Sequence, residues 1–224
     1  MWKIVKMQYK IFFSNKAQVI YILLSSLVLT SLLSLGNKNY MQILIIGIPL
    51  LCVTQIAPGL FVIDKENHIF ESIMTLPLAF KQIFFGKAFF CFMSTTAVYS
   101  ISVLVANILE AVVINGDVTM HLGFKEMLGG VILPMPMFYN QGMMAAHVSL
   151  NSKDSKACAM DIVFVSFLYS IPCLIQISCI TQPWFVWGGV LIIYLVIEVL
   201  ITFIQCKKLE KFKNKSSLSN FLKE

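Results

Sequence analysis

Apolar residues along this chain come in blocks of about twenty, the length a helix needs to cross a bilayer core. Short polar stretches separate the blocks and carry most of the lysines. The pattern predicts an all-α integral membrane protein with six transmembrane helices, over residues 17–35, 41–63, 87–109, 127–150, 158–180 and 185–206. Ahead of them, residues 1–16 read "MWKIVKMQYKIFFSNK". On a helical wheel Lys3, Lys6 and Lys10 group within an arc of roughly 60°, beside a broader face of Trp2, Val5, Tyr9, Phe12 and Phe13. This predicts an N-terminal interfacial helix, apolar side in the acyl boundary and lysines among headgroups; a frayed, lysine-rich start to the first span is the alternative. Residues 207–224 form a lysine-rich tail.

Composition agrees with the pattern. Of 224 residues, 58% are hydrophobic and 12% charged, against about a quarter charged in a soluble domain. Mean hydropathy is +0.82. The chain holds no arginine, and fifteen of its seventeen lysines fall on one side of the six-span arrangement, leaving Lys38 and Lys125 on the other. The positive-inside rule then expects both termini in the cytoplasm. Anionic lipid accounts for the net charge of +6, so no nucleic acid is expected as a partner. The six cysteines lie in or at the edges of spans with no CxxC, and read as buried thiols rather than a disulfide framework. His68, His121 and His147 fall in separate segments, and no metal site is expected.

The stretch "DKENHIFESIMTLPLAFKQIFFGK", residues 64–87, is the longest charged, proline-broken interruption between apolar blocks. Asp64 and Glu66 suit a helix N-terminus. Ile69, Ile73 and Leu76 follow an i, i+4, i+7 stripe that Phe70 and Met74 widen, and Pro77 ends it. A short amphipathic helix is expected here, with a second running from Phe80 into the third span. Spacing alone fits a helix that merely connects two spans as well as one that docks a partner.

The segment resembles the signature loop of ABC-2 type transporter permeases. Asp64, Lys65, Glu66 and Asn67 match its acidic start, Leu76 and Pro77 its "LP", and Gly86 and Lys87 the Gly-Lys pair opening the third span. The nearest variant is the small Gram-positive permease of the peptide export and immunity kind, similar to phenol-soluble-modulin-type exporters. The sequence departs from many relatives after the "LP", with Leu78, Ala79, Phe80 and Lys81 where an arginine is common. It also has only "TQPW" between the last two spans.

The resemblance implies that the loop is a cytoplasmic coupling helix docked on an ATP-binding cassette ATPase subunit. Asp64, Glu66, Phe70, Glu71, Met74, Leu76 and Pro77 would form the ATPase-coupling surface. It further implies a second permease half, a homodimer or a paralogue, in the bacterial cytoplasmic membrane. The chain has no G-x-x-x-x-G-K-[ST] motif. It is therefore expected to be no enzyme itself and to bind no cofactor, with ATP and Mg on the partner ATPase.

Within the spans, "GGVILPMPMFYNQG" places Pro134, Pro136, Asn140 and Gln141 in span four. The prolines should kink the helix. Asn140 and Gln141 then either hold the bundle together or line a translocation path. Glu198, near the middle of span six, is the costliest residue to bury. It should face protein or a water path and never lipid, either protonated, or paired with a polar partner such as Asn140 or Gln141, or lining a cavity, with Tyr194 one turn away as a donor. Asp161 is expected at the membrane interface.

Two main functions fit. The first is the transmembrane permease subunit of an ATP-driven exporter of a hydrophobic or amphipathic peptide, antimicrobial or toxin. The second is an ion-coupled secondary transporter using Glu198, for which paired broken spans in two repeated halves would be expected. A non-transporting membrane sensor or anchor is a weaker third. Intramembrane catalysis lacks its motifs.

Overall fold

The computed structural model describes residues 2–36, 40–68, 80–109, 112 and 128–215. Among these residues every regular element is a helix: α1 Trp2–Ser14, α2 Lys16–Gly36, α3 Tyr40–Ile56, α4 Pro58–Glu66, α5 Phe80–Leu109, a π-helical turn Leu128–Ile132, α6 Met135–Asn151, α7 Ser155–Ser178 and α8 Trp184–Lys215. Four stretches are long and apolar enough to cross a membrane: Ile43–Glu66, Phe80–Leu109, Ser155–Ser178 and Trp184–Leu209. A fifth is added if Ile4–Ser14 and Lys16–Leu32, bent by 85°, make one broken span. The segment expected as span four is divided between the π-helical turn and the 17 residues of α6.

Helix α5 is the packing centre, touching α1, α2, α3 and α6. The α1 face expected to enter lipid is partly used here. Val5 is buried, and Tyr9 and Phe12 lie edge-on to Phe90 of α5 with ring centroids 4.8 and 5.6 Å apart. Trp2 and Phe13 stay exposed with Lys6 and Lys10.

The breaks have local causes. Ala57 interrupts the run of α3 into α4, and Pro58, which has no N–H, occupies the first position of α4. The N–H groups of Phe61 and Val62 reach Ser149 Oγ of α6, at 2.9 and 3.2 Å. A side chain 88 residues away thus ties the start of α4 to α6. Pro134 likewise removes the donor that would bond Gly130 O four residues back. Tyr99 of α5 donates its hydroxyl to that carbonyl at 2.5 Å. Tyr194 of α8 donates to Leu133 O at 2.7 Å, and not to Glu198 as the sequence suggested.

Two expectations about residues 64–87 are corrected. Asp64 and Glu66 do not open a new helix; they close α4, which ends at Asn67 with His68 in the left-handed region at φ 57°. The N–H groups of Asn67 and His68 bond back to Ile63 O and Lys65 O, both at 3.0 Å. At the other end, α5 starts at Phe80 as expected, but Lys87, expected to open the third span, lies two turns inside it and is fully buried. Phe80 and Phe84 pack against Phe61 of α4, which draws those extra turns into the bundle.

Candidate functional site

Two polar constellations lie inside this apolar bundle. The first is built on three consecutive residues in the last turn of α4. Asp64 accepts from Lys87 Nζ of α5 in a buried ion pair. The same Nζ donates to Leu60 O and stands 4.4 Å from the Phe61 ring centroid. Lys65 Nζ donates to Leu150 O and, at 3.3 Å, to Ser152 O at the C-terminal end of α6. Glu66 accepts from the Ser155 hydroxyl at 3.0 Å and its N–H at 3.2 Å, at the first residue of α7.

Each charge suits its place. A lysine meets the partly negative carbonyl end of α6, and a carboxylate meets the partly positive N–H end of α7. Asp64, Lys65 and Glu66 therefore fasten α4 to α5, α6 and α7 in turn. Of the residues predicted for ATPase coupling, Asp64 and Glu66 are engaged within the chain. Phe70, Glu71, Met74, Leu76 and Pro77 lie outside the described residues.

The second constellation lies between α6, α7 and α8. Asn140 is fully buried and donates to Glu198 Oε2 at 2.5 Å and to Glu198 O at 3.0 Å. Thr202, one turn beyond, donates to Asn140 Oδ1 at 2.8 Å. Gln205 donates to Asn140 O and to the Tyr169 hydroxyl, both at 3.2 Å. Gln141 points the other way, to Ser166 O at 3.3 Å and Ser170 Oγ at 3.2 Å on α7. Asn140 and Glu198 thus meet, Gln141 serves a different helix pair, and Asp161 is exposed on α7.

Several participants escaped the sequence reading. Lys87 was visible as a charge in an apolar run but read as a boundary marker. Lys65 was singled out only as part of a motif, and Ser149 and Ser155 gave no signal, since the partners of all three lie 84 to 89 positions away. On α8, Glu198, Thr202 and Gln205 are spaced i, i+4, i+7 on one helical face, and that spacing was legible.

Compared with known proteins, the chain matches no family model, no curated protein and no solved structure. Among the described residues it is all-helical, with four or five helical stretches long and apolar enough to cross a membrane, as in a membrane protein.

Proposed function

We propose that this chain is the permease subunit of an ABC-2 type transporter in the bacterial plasma membrane, with six spans and both termini in the cytoplasm. It works with a separate ATP-binding cassette subunit that holds ATP and Mg, and with a second permease half. Its substrate is a hydrophobic or amphipathic peptide, antimicrobial or toxin, moved outward. What supports the reading is the fastening of the two ends of the connecting segment. Asp64 and Lys87, the first and last charged positions of the resemblance, form one buried ion pair. Lys65 and Glu66 extend that base to α6 and α7.

A push on residues 67–79 would then enter α4 and α5 together and pass to α6 and α7. A loosely tethered loop would dissipate it. In this reading Glu71 and Leu76 contact the cassette subunit while Asp64 and Glu66 brace the segment from within. Glu71→Lys and Leu76→Asp should leave the chain inserted and folded but abolish co-purification of the cassette subunit. Full retention of that subunit with substrate-stimulated hydrolysis in both variants would refute the docking surface.

A further inference from the structure

We infer that the Glu198–Asn140 pair is a proton-binding site, at which Glu198 is held as a neutral carboxylic acid. The inference concerns the bundle itself and does not depend on what the chain transports. Glu198 is 2% exposed, halfway along an apolar helix. Its Oε2 accepts from the neutral Asn140 amide, and its Oε1 is buried with no hydrogen-bond partner among the described residues.

Among the described residues, the groups around it supply no positive charge. Helix α6 presents Asn140; the other titratable residues of that stretch turn elsewhere, Tyr139 to Phe92 and His147 to Phe84 and Gln205 O. Helix α7 presents the Cys173 thiol and α8 the Tyr194 phenol, groups that carry no positive charge. The one ion pair among the described residues is Lys87–Asp64, at the end of α4. A carboxylate with one neutral donor and one bare oxygen in an apolar interior is a costly arrangement that a bound proton removes.

The pair also belongs to a wider seam. With the acid neutral, Asn140 can join Glu198, Thr202 and Gln205 into a seam that docks α8, a helix whose main packing partners are α6 and α7. Loss of the proton would place an uncompensated charge in that seam and loosen α8.

The test uses the full chain in liposomes of uncharged lipid. Infrared difference spectra of wild type against Glu198→Gln should show the carbonyl stretch of a protonated carboxylic acid at neutral pH in wild type alone. That band should fade as the pH is raised into the alkaline range. Thermal unfolding of the wild type should fall by several degrees over the same range, while Glu198→Gln, which retains an acceptor for Asn140, holds a flat profile. Carboxylate bands replacing the acid band at neutral pH would overturn the inference. So would an equal alkaline loss of stability in Glu198→Gln.

Discussion

Gly142 stands where α6 crosses α5, and a hydrogen atom is all the space there allows. A Cβ at that position would lie 2.7 Å from Ala88 O and 3.2 Å from Phe92 N, both backbone atoms that cannot swing aside. Small residues at such crossings let membrane helices approach closely. Gly142→Ala should therefore lower stability by about 1–3 kcal/mol through overpacking. Gly188, with nothing within 4 Å of its Cβ position, is the control. Gly188→Ala should be neutral or gain up to ~1 kcal/mol from helix propensity. Thermal unfolding in detergent decides it, and equal melting of the two variants would contradict the crossing. Residue identity matters in the same way at Ser149, whose hydroxyl accepts from two backbone N–H groups of α4. An alanine there would remove both contacts between α6 and α4.

Between elements, the bundle end is fastened by charges of unequal depth, and their removal should have unequal consequences. Lys87 is fully buried and the Asp64 side chain is 16% exposed. Removing one partner of such a pair costs on the order of 3–5 kcal/mol, because the other charge is left buried alone. Lys87→Met and Asp64→Leu should each destabilise the chain strongly, while the double variant recovers most of the loss. Glu66→Gln, at an exposed hydrogen bond, should cost no more than about 1.5 kcal/mol. A double-mutant cycle by thermal unfolding measures the coupling, and strictly additive losses would mean that the pair contributes nothing.

The same pair shows how far the sequence could be read. Apolar blocks located the helices Ile43–Glu66, Ser155–Ser178 and Trp184–Leu209 to within a few residues, because hydropathy depends only on local composition. A helix from Phe80 was expected and is found, but the third span itself was placed seven residues later, at Lys87. A lysine in an apolar run looks like a membrane boundary until its partner is known, and that partner sits 23 positions earlier. Asp64 and Glu66 looked like a helix start because acids favour that end. Their actual partners, on α5 and α7, outweigh that local preference. The break at Pro134 was expected, but not the Tyr99 side chain that donates to the carbonyl left free there. Asn140 and Glu198 could be named as expensive residues. Of the two partners the sequence offered Glu198, packing selects Asn140, at 2.5 Å, and turns Gln141 toward α7.

Across the whole molecule, α8 and the outer side of α7 display apolar side chains to the surroundings. Phe185 is 80% exposed and Phe164 68%, and Val199, Ile192 and Ile193 are similarly bare. In water such a surface would aggregate; in hydrocarbon it is ordinary contact, since the helices satisfy their own backbone groups. The lysine-rich stretch after Cys206 continues α8 helically to Lys215. Lys207 lies over the Phe203 ring at 4.5 Å. The proposed role requires this bundle to work with a subunit that hydrolyses ATP, because the chain contains no nucleotide-binding motif of its own. The most direct measurement is to purify the tagged chain from native membranes in mild detergent, then quantify bound ATP-binding cassette protein and Mg-dependent ATP hydrolysis. The account predicts a cassette subunit in equal proportion to the chain, with hydrolysis stimulated by an amphipathic peptide. A pure, folded chain that carries no cassette protein and hydrolyses no ATP would contradict it.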